Sequence, residues 1–195
     1  MAAVRKITRD DHTVMPWKNG GGTTRQIATG GDDAGSGDWG WRVSIANVER
    51  DGAYSEFPGI DRLTTVVIGH GTDLIHPDGS SIALNPLQPT LISSDVALWG
   101  MLRDEPIVNL NVMTRQGCYT ASVEIVDGPA ETTLETGESE VLLVHVLAGT
   151  CRLHPEGGDP CDAADSDTLI HDGQEAFALS LAAASRAAVI RISAV

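Results

Sequence analysis

The segment 15–26, MPWKNGGGTTRQ, combines residue types that can bind an anion. Its three glycines can adopt conformations in which backbone N–H groups converge on a negative charge. Lys18 and Arg25 flank the glycines, and Asn19 adds a side-chain amide. The order Gly-x-x-x-x-Gly-Lys-Ser/Thr of a phosphate-binding P-loop is absent. A flexible β-turn with solvated cations explains the same residues, so this segment alone does not establish a site.

A second candidate is the segment 41–46, WRVSIA, which alternates in the manner of a β-strand. Arg42 and Ser44 share one face of this strand, opposite its apolar residues. That face is directed either to water or into the interior of a barrel, and the pattern leaves both open. In the interior Arg42 requires an anionic partner, because an unpaired buried charge is costly. Asn109 and Asn111 also share a strand face and favour a polar interior, since Asn is depleted in strands.

The elements that position these residues are short strands separated by turn signals, and no long helical period is present. This pattern is typical of an all-β protein built as a sandwich or barrel. Alternating apolar residues predict strands at Trp39–Val48, Arg62–Ile68, Ile107–Met113, Tyr119–Val126, Val141–Leu147, Ala176–Leu181 and Ala187–Ser193.

A nine-residue repeat indicates that the β-domain is duplicated. The segment 71–79, GTDLIHPDG, recurs as 149–157, GTCRLHPEG, with five of nine positions identical. Coincidence is possible in so short a window, but each copy follows an apolar strand, which favours duplication. We interpret the acidic segment Asp127–Glu140 as a loop that joins the copies. The predicted domains are therefore an N-terminal barrel, 1–126, which holds the ligand pocket, and an acidic C-terminal barrel, 127–195.

The charge of the chain excludes several classes of partner. With 13 Lys and Arg against 27 Asp and Glu, the formal net charge is -14. An acidic chain argues against binding to nucleic acid and to anionic membrane surfaces. No apolar run has the length of a membrane span, and we expect a cytoplasmic protein. Its cysteines, Cys118, Cys151 and Cys161, lack Cys-x-x-Cys spacing, and a Cys151–Cys161 disulfide stays open.

Four motifs together resemble the HutD/Ves family. They are PWKNGGGTTR at 16–25, WRVSIA at 41–46, DGAYSEFPGIDR at 51–62 and NLNVMTR at 109–115, in the order typical of that family. The resemblance implies an all-β bicupin, in which two small cupin or jelly-roll barrels are fused in one chain. It also implies a link to histidine utilisation, with binding of a pathway intermediate such as urocanate or formylglutamate. No established catalytic activity comes with the family.

The residues and the resemblance together predict a pocket for a small carboxylate in the N-terminal barrel. Arg42 and Arg62 are expected to pair the carboxylate, because the guanidinium fork suits bidentate contacts. The expected role is to sense a catabolic intermediate rather than to catalyse a reaction. The other predicted ligand-binding residues are Trp17, Lys18, Asn19, Gly20, Gly21, Gly22, Arg25, Ser44, Ser55 and Asn111.

Two other classes of protein compete with this prediction. A cupin-type enzyme acting on the same metabolite is one, with Asp95 or His70 as a proton-transfer group. A structural protein, whose Arg and Asn motifs stabilise a homodimer interface, is the other. Catalytic cupins resemble one another in a His-x-His pair, and none of the six histidines here are two residues apart. We therefore expect neither a bound metal nor another cofactor.

Overall fold

The computed structural model describes residues 3–17, 20–31 and 39–195, and their regular secondary structure is almost entirely β-strand. The first strands are β1 (Arg5–Ile7), β2 (Thr13–Pro16), β3 (Gly22–Gly30), β4 (Trp41–Val48), β5 (Gly52–Tyr54), β6 (Ile60–Ile68), β7 (Thr72–Ile75), β8 (Ser81–Leu84), β9 (Thr90–Ser93), β10 (Leu98–Leu102) and β11 (Ile107–Arg115). The remaining strands are β12 (Tyr119–Asp127), β13 (Ala130–Thr136), β14 (Glu140–Ala148), β15 (Thr150–Pro155), β16 (Cys161–Ala164), β17 (Thr168–Asp172), β18 (Glu175–Leu181) and β19 (Arg186–Ala194). The only helical segment among the described residues is one 3-10 turn, Arg9–Asp11.

The N-terminal unit comprises residues 12–119 and contains two antiparallel sheets. The larger has the strand order β2-β3-β4-β11-β6-β9, and the smaller has the order β5-β10-β7-β8. Strand alternation gives each sheet one face that contributes to a shared apolar cluster. The buried members of this cluster are Val48, Val66, Leu74, Leu84, Ile92, Leu98 and Ile107.

The C-terminal unit comprises residues 120–195 together with 3–11. Its sheets have the strand orders β1-β17-β14-β19-β12 and β13-β18-β15-β16. The interior of this unit is an apolar cluster to which both sheets contribute. Its buried members are Leu134, Leu142, Val144, Val146, Cys151, Leu153, Ala163, Leu169, Phe177, Leu179, Leu181, Ala187 and Val189.

The two units repeat one topology, as the nine-residue sequence repeat predicted. The order β11-β6-β9 in the first corresponds to β19-β14-β17 in the second, and β5-β10-β7-β8 corresponds to β13-β18-β15-β16. The repeated segments form equivalent turns and strands, β7 and β15. Gly71 and Gly149, which open the two copies, both have positive φ, and so do Gly79 and Gly157, which close them. The predicted all-β bicupin architecture is confirmed.

The observed division differs from the boundary predicted after residue 126. Strand β1 pairs with β17 and therefore belongs to the C-terminal unit, and β12 extends the same sheet at its other edge. The interpretation of 127–140 as a loop is wrong over Ala130–Thr136, which pairs with β18. Leu134 and Thr136 are buried along β13, because strand alternation turns them inward while the acidic residues stay exposed. Among the described residues no helix is long and apolar enough to cross a membrane.

Candidate functional site

Polar residues occupy one interior face of the larger N-terminal sheet. Asn111 on β11 pairs with Ser44 on β4 and with Thr64 on β6, and all three are buried. Directly paired residues of antiparallel strands point to the same side, so the three polar side chains form one row across the sheet. The Thr64 hydroxyl donates a hydrogen bond of 2.9 Å to Asn111 Oδ1.

The next row places two arginines on the same face. Met113 on β11 pairs with Arg42 on β4 and with Arg62 on β6. Alternate residues of a strand share a face, so this row continues the row of Asn111. The prediction left open whether Arg42 and Ser44 face water or the interior, and the structure directs both toward an interior cavity.

This cavity, which we call the anion cavity, has a volume of about 70 Å³. Half of the twelve predicted ligand-binding residues line it: Trp17, Arg42, Ser44, Ser55, Arg62 and Asn111. The remaining described lining residues are Thr24, Ala46, Ala53, Tyr54, Phe57 and Met113.

Arg62 is buried, and no acidic side chain among the described residues pairs with it. Only 8% of its surface is exposed, and its Nε donates a hydrogen bond of 3.0 Å to Asn111 Oδ1. Its guanidinium carbon lies 5.1 Å from the centroid of the Tyr54 ring. Burial lowers the pKa of Arg62, and the positive charge of Arg42 acts in the same direction. Arginine nevertheless stays protonated at neutral pH, so the cavity wall carries this charge.

Arg42 is half-buried, and it too has no counter-ion within the described part of the chain. Its Nε is buried and has no hydrogen-bond partner, and burial lowers the pKa of the side chain. In the part of the chain that the structure describes, neither Arg42 nor Arg62 forms a salt bridge. Two guanidinium groups therefore line one small cavity without an acidic side chain to neutralise them.

Tyr54 completes the polar wall and was not predicted as a site residue. Its hydroxyl accepts a hydrogen bond of 3.0 Å from Asn109 Nδ2. Burial raises the pKa of Tyr54, although the charge of Arg62 and the Asn109 hydrogen bond act in the opposite direction. The phenol is therefore protonated at neutral pH. Asn109 itself is fully buried, which agrees with the polar interior that the two strand asparagines predicted.

The glycine loop has a structural reason for its composition. Gly20 N–H donates to the Trp17 carbonyl at 3.0 Å, and Gly22 pairs with Val48 at the start of β3. A Cβ on Gly22 would lie only 2.0 Å from the Asn47 carbonyl oxygen, so a close approach of two backbones requires glycine here. The structure places Gly20, Gly21 and Gly22 outside the lining of the anion cavity.

The other predicted residues of segment 15–26 have different locations. Trp17 lines the cavity, and its indole N–H donates to Thr24 Oγ1 at 2.8 Å. Lys18 and Asn19 lie outside the described residues. Arg25 pairs with Ile45, so strand alternation directs it to the face opposite Thr24 and away from the cavity.

The proton-transfer groups considered for an enzyme do not line the anion cavity. Asp95 is exposed and accepts a hydrogen bond of 2.8 Å from the backbone N–H of Gly59. His70 is exposed, with Nδ1 3.6 Å from a carboxylate oxygen of Asp104 and of Glu105. The structure therefore separates both groups from the two arginines.

Sequence reasoning missed six lining residues, some of which strand alternation could have found. Ala46 follows Ser44 by two residues on β4, and Met113 follows Asn111 by two on β11. Both had to share the face already assigned to those polar residues. Tyr54 and Phe57 lie on and after the short strand β5, and only the three-dimensional structure brings them beneath the larger sheet.

The C-terminal unit is an internal control for the polar interior. Its β14 and β19 have a register shift at Val146/Ala148, and β6 and β11 have one at Val108/Asn109. Aligning the two units at these shifts matches four interior polar residues of β6 and β11 with apolar residues of β14 and β19. The C-terminal residue of every pair belongs to the apolar core of its unit. The matched pairs are Arg62 with Leu142, Thr64 with Val144, Asn109 with Ala187 and Asn111 with Val189. The fold therefore does not itself require polar residues at these positions.

Among the described residues no group of three or more His, Cys, Asp or Glu side chains could hold a metal ion. His145 is buried on β14, and its Nδ1 lies 2.8 Å from Thr168 Oγ1. This contact joins His145 to the neighbouring strand β17 in the interior of the C-terminal unit. Cys118, Cys151 and Cys161 are free thiols, so the disulfide considered from the sequence is not formed.

The duplicated two-sheet topology defines a cupin-like bicupin protein, with a cationic cavity in one of its two units. The sequence pattern of the HutD family matches residues 9–189, and the chain belongs to this family. It is 33% identical over 145 residues to an uncharacterised 21.2 kDa protein in the hutC 3' region of Pseudomonas putida, covering 73% of this chain and 74% of that protein. It is 30% identical over 164 residues to protein Ves of Escherichia fergusonii, covering 84% and 81%.

Solved structures agree with this assignment. A conserved protein of unknown function from Pseudomonas aeruginosa PAO1, PA5104, superposes with a TM-score of 0.88 at 26% identity and covers 98% of this chain and 100% of its own. HutD from Pseudomonas fluorescens SBW25, described in a formate condition, gives a TM-score of 0.81 at 29% identity, covering 99% and 100%. The nickel(II) complex of the pirin YhhW from Escherichia coli shares the fold alone, with a TM-score of 0.69 at 8% identity.

Proposed function

We propose that this protein binds a small carboxylate metabolite in the anion cavity and reports its level in histidine utilisation. The carboxylate would lie between Arg42 and Arg62. Ser44, Ser55 and Asn111 would supply neutral hydrogen bonds, and Trp17 an apolar wall. The cytoplasmic location predicted from the sequence suits a sensor of a catabolic intermediate.

The observation that carries the proposal is Arg62, which is buried beside a second guanidinium and has no acidic partner in the described chain. Burying one such charge without a counter-ion is costly, and a like charge nearby adds to the cost. A bound anion supplies the missing negative charge. The apolar residues at matched positions of the C-terminal unit support a functional reason for the polar ones.

The size of the cavity favours a carboxylate group over a larger anion. One buried water molecule needs a cavity volume of about 10–15 Å³. The anion cavity, at about 70 Å³, therefore has room for only a few groups of that size. Arginine forks match the two oxygens of a carboxylate with paired hydrogen bonds. The rest of a metabolite would extend beyond the anion cavity.

The family members support the metabolic context. One relative is named for its position beside hutC, and a structural neighbour is HutD, described in a formate condition. Formate is the smallest carboxylate and therefore a suitable first probe.

A binding protein fits this cavity better than an enzyme. Among its described lining residues the titratable groups are Arg42, Arg62 and Tyr54. The arginines stay charged, and the raised pKa of Tyr54 keeps its phenol protonated at neutral pH. These groups can hold an anion, but none of them is a base at neutral pH that could take a proton from it.

The test is calorimetric titration of the protein and of Arg42→Gln with formate, urocanate and formylglutamate. Removing one member of a buried charged pair costs about 2–5 kcal/mol, so Arg42→Gln should weaken binding at least 30-fold. Arg25→Gln is the matched control, because it removes the same charge from the opposite face of the same sheet.

Equal binding by Arg42→Gln and Arg25→Gln would contradict the proposed site. Failure of the unaltered protein to bind any of the three carboxylates would contradict the function itself. Consumption of urocanate by the purified protein would instead establish the enzyme class.

A further inference from the structure

A second groove lies on the same face of the larger N-terminal sheet as the anion cavity. It has a volume of about 580 Å³, and we call it the outer groove. Trp39, Phe57, Ile60 and Arg115 line it, with Glu56 and the turn residues 58–59. Phe57 also lines the anion cavity, so the two spaces are neighbours that share this side chain as part of their walls.

The register of the sheet fixes the spacing between the two spaces. In the β11–β6 pair Met113 lies opposite Arg62, and Arg115 lies opposite Ile60. The second row is therefore two residues further along each strand and faces the same way. Strands rise 3.2–3.4 Å per residue, so the rows are roughly 7 Å apart.

Arg115 resembles the cavity arginines in having no acidic partner among the described residues. It is half-buried, and its guanidinium makes no hydrogen bond or ion pair with any residue that the structure describes. Its backbone is fixed, since its N–H donates to the Gly40 carbonyl at 2.8 Å and its carbonyl accepts from Cys118 at 3.1 Å. Glu56 lines the same groove but forms no ion pair with Arg115. A third cation thus lines this groove on a fixed backbone, without an acidic partner among the described residues.

Three hydrogen bonds fix the turn that carries Phe57. Phe57 N–H donates to the Ser94 carbonyl at 2.8 Å, and its own carbonyl accepts from Ile60 at 3.1 Å. Gly59 N–H donates to Asp95 Oδ1 at 2.8 Å. These bonds give Phe57 a defined position between the outer groove and the arginines of the anion cavity.

We infer that the two spaces form one elongated site whose ligand is a dicarboxylate with carboxylates about 7 Å apart. One carboxylate binds between Arg42 and Arg62, and the other binds Arg115 in the outer groove. The chain between them packs against Phe57. This inference rests on the proposed function, because it takes the anion cavity as the first half of the site.

The experiment is a calorimetric series with acetate and the straight-chain dicarboxylates from malonate to suberate. Binding should be tightest for adipate or pimelate, whose extended chains separate the two carboxylates by about that distance. A charge-assisted hydrogen bond gained at Arg115 should make the best dicarboxylate about 10- to 100-fold tighter than acetate.

Three variants locate the second contact, and a fourth, Arg25→Gln, is the control. Arg115→Gln should reduce the best dicarboxylate to the affinity of acetate and leave acetate itself unchanged, which also shows that the variant is folded. Arg115→Lys should keep part of the gain because it keeps the charge. Glu56→Gln should strengthen dicarboxylate binding by removing a like charge from the groove, and Arg25→Gln should change neither ligand.

The outcomes separate this inference from the proposed function. If acetate binds but chain length has no effect, or if Arg115→Gln keeps the dicarboxylate gain, the elongated site is wrong and the anion cavity stands. If neither acetate nor any dicarboxylate binds in a manner sensitive to Arg42→Gln, the proposed function fails, and the inference fails with it.

Discussion

The guanidinium of Arg62 lies over the ring of Tyr54, 5.1 Å from its centroid, while Arg62 Nε donates to Asn111 at 3.0 Å. The aromatic face and the amide oxygen hold the arginine from two sides. Neither neutralises it, because a ring quadrupole and an amide dipole carry no net charge. Arg62 is thus oriented, but no acidic side chain of the described residues neutralises it, and the proposed carboxylate would supply the missing charge.

Substitutions of Tyr54 should separate its two contacts. Tyr54→Phe keeps the ring beneath Arg62 but leaves buried Asn109 Nδ2 without its acceptor, so we expect a stability loss of about 1–3 kcal/mol with carboxylate binding retained. Tyr54→Leu also removes the cation–π contact, which is worth about 0.5–2 kcal/mol, and should weaken binding by a further few-fold or more. Chemical denaturation and calorimetry measure the two effects. Equal binding by the Phe and Leu variants would exclude the ring as a support for Arg62.

An acidic side chain introduced beside Arg62 should neutralise the arginine and so compete with a carboxylate ligand. Asn111→Asp places an acidic oxygen at hydrogen-bond distance from Arg62 Nε, and charge-assisted bonds are the stronger kind. We expect the free protein to gain about 1 kcal/mol or more in stability and to lose at least 10-fold in carboxylate affinity.

The matched control for this substitution is Asn85→Asp. Asn85 Oδ1 accepts a hydrogen bond of 2.9 Å from Arg103, but both residues are exposed. Surface pairs contribute about 0–1 kcal/mol, so this variant should change stability little and binding not at all. A loss of carboxylate binding in Asn85→Asp as large as that in Asn111→Asp would show that the effect is not local to the cavity.

Glycine at position 22 should be required for stability. Gly22→Ala puts a methyl group 2.0 Å from the Asn47 carbonyl oxygen, and the strands must move apart to accept it. Overpacking of this kind costs about 1–3 kcal/mol. Gly52→Ala is the control, because nothing lies within 4 Å of its added Cβ. Thermal unfolding should show a lower Tm for the first variant only, and equal Tm values would contradict the close approach.

The cysteines should differ in their rates of alkylation. Cys151 is buried, and burial raises the pKa of its thiol to about 11, while Cys118 is exposed. At pH 8 only about 0.1% of the Cys151 thiol is therefore ionised, and the thiolate is the reactive form. Peptide mass spectrometry after brief iodoacetamide treatment should find Cys118 modified and Cys151 intact. Labelling of Cys151 at the rate of Cys118 would show that the C-terminal core opens readily.

The strands and the duplication could be predicted because their signals are local. Alternation at Trp41–Val48 and the repeated GT…HP…G segments depend on neighbouring residues, and the structure agrees with both. Strand β13 could not be recognised in the same way, because its exposed face carries the acids that resemble a linker. The pairing of β1 with β17 joins distant parts of the chain, and no local pattern records it.

The candidate site was predictable where one strand carries two of its members. Arg42 with Ser44, and Asn109 with Asn111, lie on faces that alternation defines. The motif alone could not predict the orientation of Arg25. This residue lies in the glycine segment, but the register of β3 directs it to the face opposite the cavity. Tyr54 and Phe57 depend on how a second sheet packs against the first, which spacing in the sequence does not determine.

The pairing of β1 with β17 has a consequence for how the chain is synthesised. Arg5 is synthesised well before its strand partner Ile170, because the whole of the N-terminal unit lies between them in the sequence. Residues 12–119 form a complete unit that can fold while translation continues, nested within a unit that cannot. At one edge of the C-terminal sheet, β17 pairs with β1, a strand that is synthesised before the rest of that sheet. A nascent chain interrupted before residue 168 would therefore retain a folded unit of residues 12–119 and an unpaired strand β1 available for aggregation.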